Sequence, residues 1–149
     1  MLTRTLSALF KRELEKLKTE ISLYHQERNI WIIDKNILNS GGNLCLHLIG
    51  NLNTFVGKEL GKVDYVRNRD LEFSQKDVPQ AELIKKIENT IIIVENTFDK
   101  LTDEHLSGEY PILVFKEKTS TQYMLLSLLS HLSYHLGQIN YHRRLLDSE

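Results

Sequence analysis

The chain has 149 residues, a length that predicts one domain spanning 1–149 with enough core to fold without disulfides or a structural metal. Its 19 basic and 20 acidic side chains nearly cancel and form no long block of one sign, which argues against nucleic acid or an anionic membrane as a partner. A single cysteine, a charged amphipathic first segment and apolar runs too short to cross a bilayer predict a cytoplasmic protein.

The first predicted helix lies close to the N-terminus. Apolar residues recur every three to four positions from Leu6 to Tyr24, and charged residues occupy the opposite face, as in an amphipathic helix. Residues 29–38 show no long helical stripe. They predict a connector in which Trp31 covers part of the core.

A second helix is predicted from about Gly42 to Leu60, with Asn39 or Ser40 as its cap and Gly61 at its end. It is apolar on most sides but carries one polar stripe, which faces either water or a polar cavity inside the protein. The stripe consists of Asn43, His47, Asn51 and Thr54.

Cys45 lies about 200° around the second helix from His47, so the two side chains cannot share a metal ion. A cysteine among leucines is typical of a buried core position. Cys45 is therefore predicted to be a buried, unreactive thiol.

Residues 62–78 lose the helical pattern and predict a charged connector anchored by Tyr65, Leu71 and Phe73. Its charged side chains either line a substrate opening or form a solvated loop tied by ion pairs. They are Arg67, Arg69, Asp70 and Glu72.

Two further helices follow. Pro79 suits the first turn of a third helix, whose apolar stripe runs from Leu83 to Leu101. After a short extended-looking run at 110–115, the capping-box spacing of Thr119 and Gln122 predicts a fourth helix that continues to about position 146. Four such helices predict an all-α four-helix bundle.

The fourth helix carries His131 and His135 four residues apart, so their rings lie on one face about one turn from each other. His47 is the best third candidate because it also interrupts an apolar helical segment. Imidazole ligands suit zinc, nickel, copper or iron, and three protein ligands leave positions open for water or substrate. The sequence thus predicts a three-histidine metal centre inside the bundle.

Four polar residues are candidates for a supporting role or for the substrate pocket: Gln138, Asn43, Asn51 and His142. Gln138 is one turn from His135 and is well placed to hydrogen-bond a ligand histidine or a bound water. His142 stands beside two arginines, which favours a surface role at the helix end.

No aspartate or glutamate lies on the His131 stripe and none is expected near His47, so no general base is predicted. The chain also lacks the paired Glu-x-x-His elements of di-iron bundles and the HExxH, GxSxG, Walker-type and GxGxxG motifs. Those classes of enzyme are excluded.

Three stretches together, NSGGNLCLHLIGNL, RNRDLEF and HLSYHLGQINYHRR, resemble the DinB-like superfamily of metalloenzymes. That superfamily includes the bacillithiol transferases and the metal-binding domain of mycothiol-dependent maleylpyruvate isomerase. The resemblance extends from about Leu2 to Leu146 and implies an up-down-down-up bundle that forms a homodimer. It also implies one divalent ion, nickel or zinc, held by His47, His131 and His135.

The activity implied by the resemblance is metal-dependent activation of a bound thiol or water. A low-molecular-weight thiol would be the cosubstrate and a small molecule the substrate, as in a thiol S-transferase. Two alternatives remain open: a metal-dependent hydrolase that uses water alone, and a non-catalytic, dimeric, stress-related protein that binds metal or a partner. The sequence assigns no catalytic residue beyond the metal ligands.

Overall fold

In the computed structural model, which describes residues 1–147, the chain is helical and contains no β-strand within that range. The expected all-α class is confirmed. The α-helices are α1 (Leu2–Leu23), α2 (Gly41–Leu52), α3 (Arg69–Ser74), α4 (Gln80–Lys100), α5 (Asp103–Ser107) and α6 (Thr121–Leu146). A 3₁₀-helix spans Glu27–Trp31, and a π-helical turn, Asn53–Lys58, continues α2.

α1 buries one apolar stripe and packs against both α4 and α6. Its polar contacts with α4 run in opposite order along the two helices, and those with α6 run in the same order. The pairs are Lys11–Glu95 and Lys18–Glu88 with α4, and Glu13–Ser133 and Glu20–Arg143 with α6.

α2 is the most enclosed helix, because every residue from Gly41 to Leu52 is buried. The Ser40 hydroxyl caps it by accepting a hydrogen bond from the Asn43 backbone N–H at 3.1 Å. Directly after α2, Asn53 Nδ2 donates to Thr90 Oγ1 of α4 at 3.0 Å. A central position for α2 explains why its sequence is apolar on nearly all sides.

The prediction for residues 62–78 was wrong in two respects. This segment contains a short helix, α3, which Asn68 caps by accepting from the Leu71 backbone N–H at 3.2 Å. Leu71, predicted as an anchor, is 49% exposed, whereas the adjacent Glu72 is 6% exposed. The buried anchor of the segment is therefore a charged residue that has partners inside the protein.

The predicted cap of the last helix was displaced by one residue. Ser120, rather than Thr119, accepts the hydrogen bond from the Tyr123 backbone N–H, at 3.0 Å. The Thr119 backbone is held instead by the preceding segment, because its carbonyl accepts from the Tyr110 N–H at 2.8 Å. Tyr110 is buried and its hydroxyl donates to the Phe55 carbonyl, which anchors the irregular 110–120 connector to the π-helical turn after α2.

None of the helices within residues 1–147 is both long enough and apolar enough to traverse a lipid bilayer.

Candidate metal centre

Three histidine rings from two helices converge at one place. His47 on α2 and His131 on α6 bring their Nε2 atoms to 3.2 Å, and the Nε2 atoms of His131 and His135 are 3.1 Å apart. One nitrogen from each of the three rings lies within 4.8 Å of the others. Two nitrogens about 2.0–2.1 Å from a tetrahedral ion would be roughly 3.4 Å apart, so these spacings suit a metal site.

The helices position the three rings differently. His131 and His135 project from consecutive turns of α6 and are half-buried, whereas His47 is 7% exposed on the buried polar stripe of α2. The stripe from Asn43 to Asn51 is buried, so it faces the interior of the protein and not water. The geometry brings together all three histidines that the sequence singled out.

The outer nitrogens of two rings have defined partners. His47 Nδ1 lies 3.0 Å from Glu72 Oε1, and His135 Nδ1 lies 2.7 Å from Gln138 Oε1. Both partner atoms accept hydrogen bonds, so each Nδ1 carries the proton and each Nε2 presents a lone pair. Two lone pairs are therefore directed at the Nε2 of His131.

The third ring cannot satisfy both of these lone pairs. A neutral His131 carries one ring proton, and its Nδ1 is buried without a hydrogen-bond partner among the described residues. A cation between the rings would accept electron pairs from all three Nε2 atoms at once. The donor set thus fits a metal ion better than a network of hydrogen bonds.

Burial keeps two of the rings in the neutral form that binds metals. Burial, together with the nearby positive charge that His135 and His47 can carry, lowers the pKa of His131 to about 4. Burial also lowers the pKa of His47, and this effect outweighs the opposing influence of Glu72. Both rings are therefore ready to act as ligands near neutral pH without first losing a proton.

Glu72 is the residue that the sequence interpretation missed. The prediction of no carboxylate near His47 was wrong, because α3 brings Glu72 onto that ring from 25 positions along the chain. Arg67 forms two hydrogen bonds with the same carboxylate, from Nε to Oε2 and from Nη2 to Oε1, each at 2.9 Å. The alternative in which this segment is tied by ion pairs is correct for this pair, although both partners are largely buried.

One feature of the sequence does indicate that α3 approaches α2 closely near His47. Gly50 stands inside α2, where glycine weakens a helix. A Cβ at position 50 would overlap the Glu72 carboxylate. A helical glycine one turn after a candidate ligand therefore indicates that another part of the chain approaches closely there.

The remaining candidate residues have separate roles. Gln138 contacts His135, as expected of a supporting residue. Asn43 holds α3 against α2, because its Nδ2 donates to the carbonyls of Glu72 at 3.0 Å and Gln75 at 2.8 Å. Asn51 is buried, and its Oδ1 has no hydrogen-bond partner within residues 1–147.

The surface role expected for His142 was wrong. The ring is 7% exposed. Its Nδ1 lies 2.7 Å from the Tyr24 hydroxyl and its Nε2 lies 2.8 Å from the Ile32 carbonyl. The neighbouring arginines misled the prediction because a helix can bury one residue and expose the next. His142 joins α6 to the segment after α1 and takes no part in the histidine cluster.

Aromatic rings flank the cluster, and a shallow cleft adjoins it. Phe73 packs on His47 with ring centres 4.8 Å apart, and Tyr134 packs on His135 at 5.4 Å. The cleft, about 580 Å³ in volume, has one residue of the cluster, His131, in its lining. It is lined by Tyr123, Leu126, Ser127, Ser130, His131 and Tyr134.

A comparison with known protein families assigns the chain to one of them. The family model described as "Protein of unknown function (DUF1572)" matches residues 4–149. Among solved structures, the chain is similar to a conserved protein from Enterococcus faecalis, with a TM-score of 0.74 and 16% sequence identity over 98% of this chain and 97% of that one. This likeness shows the fold alone. No curated protein matches the chain.

Proposed function

The chain belongs to the DUF1572 family, and we propose that it is a metal-dependent enzyme whose single divalent ion is held by His47, His131 and His135. The observation that carries this proposal is the convergence of three Nε2 atoms, two of which present lone pairs because Glu72 and Gln138 fix the protons on the outer nitrogens. An imidazole-only set of three ligands favours zinc or nickel.

We also infer that the family is part of the DinB-like superfamily and shares its up-down-down-up arrangement of the four long helices. The order of the interhelical contacts supports this topology. Residue pairs run in opposite order between α1 and α4 and in the same order between α1 and α6. Contacts of α2 run in opposite order to α6, from Gly41–His142 to His47–His131, and α2 with its continuation runs in the same order as α4.

The proposed reaction joins a low-molecular-weight thiol to a small electrophilic substrate: a C–S bond forms, the thiol proton is released to solvent, and the electrophile either expels a leaving group with its bonding electron pair or accepts the pair from a double bond. When bound, the ion would lower the pKa of a thiol or water in its open position. Within the described residues, no carboxylate belongs to the group formed by the three histidines, and both oxygens of Glu72 are engaged by Arg67 and His47. A thiol nucleophile needs no further general base, so these contacts favour a thiol over water.

The cleft beside His131 suits the substrate. Tyr123, Leu126 and Tyr134 offer apolar surface, and the hydroxyls of Ser127 and Ser130 offer hydrogen bonds. In this proposal the cleft orients the electrophile beside the histidine cluster.

Exposed Tyr141 and Leu145, farther along α6, are proposed to lie in a homodimer interface, which sedimentation analysis would test.

Metal analysis of protein purified without a histidine tag tests the metal centre directly. We expect about one zinc or nickel ion per chain for the wild type and loss of that ion in His47→Ala, His131→Ala and His135→Ala. His25→Ala is the matched control, since its side chain is 73% exposed and lies outside the cluster. Substoichiometric metal that the three substitutions leave unchanged would overturn the proposal.

Activity separates the chemical alternatives. The purified protein, loaded with zinc or nickel, is incubated with low-molecular-weight thiols and electrophilic acceptors. Turnover that requires both metal and thiol supports the transferase. Metal-dependent turnover with water alone would replace it with a hydrolase, and metal binding without turnover would leave a non-catalytic binding protein.

A further inference from the structure

The geometry points to Glu72 as the positioning residue of the metal centre: it holds the His47 ring in the tautomer and orientation in which Nε2 faces His131. This inference rests on the proposed function. It assigns a role to α3, a segment that supplies none of the proposed ligands. The contact that carries it is the 3.0 Å hydrogen bond between His47 Nδ1 and Glu72 Oε1.

The environment of Glu72 is built around this contact. The residue is 6% exposed, and Arg67 supplies the charge that compensates its carboxylate through two hydrogen bonds of 2.9 Å. The Arg67 guanidinium lies 5.6 Å from the centre of the Phe55 ring. A buried ion pair seldom stabilises a fold better than apolar residues of similar volume would. Its position against a candidate ligand therefore favours a role in the site over one in stability.

The backbone that carries Glu72 is also fixed. Asn43 Nδ2 donates to the Glu72 carbonyl at 3.0 Å and to the Gln75 carbonyl at 2.8 Å. Phe73, the next residue, packs its ring on His47. Because Asn43 and His47 stand one turn apart on α2, the same helix holds both α3 and the ligand that α3 orients.

The three candidate ligands are supported unequally. His47 has an anionic, buried partner, His135 has the neutral and exposed Gln138, and His131 Nδ1 has none within the described residues. A carboxylate partner fixes a ligating imidazole and increases its basicity more than an amide does. Glu72 is therefore expected to contribute more to metal affinity than Gln138.

Zinc affinity provides the test, measured by calorimetry against a competing chelator on tag-free protein. Glu72→Ala is expected to weaken zinc binding roughly 10- to 100-fold. Glu72→Gln is expected to lose less, since its amide oxygen can still accept from Nδ1. Glu20→Gln is the matched control: Glu20 is also largely buried and paired with an arginine, Arg143, but does not touch the cluster. Its zinc affinity should stay within about twofold of wild type.

A double substitution separates positioning from a general effect on the fold. If Glu72 acts through His47, Glu72→Gln should leave unchanged the weak residual zinc binding of a His47→Ala background, titrated at zinc concentrations far above those that load the wild type. If both Glu72 variants melt earlier without metal yet bind zinc as tightly as the wild type, Glu72 is structural and the inference is overturned. Glu72→Gln preserves the side-chain size, so it carries the test alone if Glu72→Ala does not fold.

Zinc titration of the wild type distinguishes a failure of the Glu72 inference from a failure of the proposed function. A wild type that binds no zinc or nickel removes the proposed function and the role of Glu72 with it. A wild type that binds zinc while the Glu72 variants bind it equally well removes the role of Glu72 alone.

Discussion

Gly50 lies directly beneath the carboxylate of Glu72, close enough that a Cβ at position 50 would overlap Oε2. Glycine in the middle of a helix usually costs about 1 kcal/mol relative to alanine. Here the missing side chain makes room for a buried acid that contacts His47. The glycine is required by the approach of α3 to α2, since its own backbone is helical.

Gly50→Ala should therefore damage both the fold and the site. We expect a loss of about 1–3 kcal/mol in the free energy of unfolding, as for other overpacked core positions. We also expect weaker zinc binding, because the added methyl group displaces Glu72 from His47. Urea unfolding and zinc titration measure the two effects. Wild-type zinc affinity in this variant would mean that Glu72 can move without disturbing the ligand.

Gly137 provides the opposite case on α6. A Cβ there would meet nothing within 4 Å, and the residue is exposed in the interior of a 26-residue helix. Gly137→Ala is expected to raise the free energy of unfolding by about 0.5–1 kcal/mol, mainly by restricting the unfolded chain. Urea unfolding at two protein concentrations measures it. A destabilised variant would indicate that position 137 packs against a second molecule.

Helices α1, α4 and α6 were predictable because each buries one face, and burial imposes a period of 3.6 residues on the sequence. The short helix α3 was not predictable, because six residues are too few to show that period. Tertiary contacts hold these residues in place instead. The π-helical turn after α2 was missed for the same reason: no local pattern encodes it. The shift of the helix cap to Ser120 accompanies a backbone hydrogen bond between Thr119 and Tyr110. Tyr110 lies too far before the helix start for a local capping motif to include it.

The residues of the candidate site also fall into two groups: those with a local sequence signal and those that only the fold brings to the site. The spacing of His131 and His135 reflects one helix, and the polar stripe marked His47, so both signals were local. Glu72 reaches His47 through the fold, and no spacing rule connects them. His142 shows the converse error, since its arginine neighbours suggested the surface while its own ring points inward to Tyr24. Local sequence thus indicated the histidine cluster and the contact of Gln138 with it, but not Glu72, which comes from a distant segment.

Gln138→Ala tests the weaker of the two supporting contacts. The 2.7 Å hydrogen bond to His135 Nδ1 is lost, but Gln138 is exposed and water can replace its oxygen. We expect zinc affinity to fall by a factor of about ten or less, and the free energy of unfolding to change by less than about 0.5 kcal/mol. Calorimetric titration and urea unfolding check both. A larger loss of affinity than in Glu72→Ala would reverse the proposed ranking of the two residues.

The buried ring of His142 predicts a pH dependence of stability. Burial lowers its pKa, although the Ile32 carbonyl and Asp147 oppose this effect. The unfolded chain therefore takes up a proton first as pH falls below about 6.5, which favours unfolding. Metal-free wild type should lose stability between pH 7 and pH 5, and His142→Gln should lose less over that interval. Urea unfolding at a series of pH values gives both slopes, and equal slopes would contradict the prediction.

The thiol of Cys45 can report on the opening of α2, because it lies on the opposite side of this helix from His47. The side chain is 0% exposed, and burial raises the pKa of its thiol to about 12. Native protein should therefore react with a disulfide reagent such as dithionitrobenzoate far more slowly than a free thiol at pH 8, and completely in concentrated urea. Zinc that binds only the folded chain should slow native labelling further, by the factor 1 + [Zn]/Kd when labelling requires opening of the fold. His47→Ala should abolish this protection. Labelling that zinc slows equally in both proteins would place the binding ion away from α2.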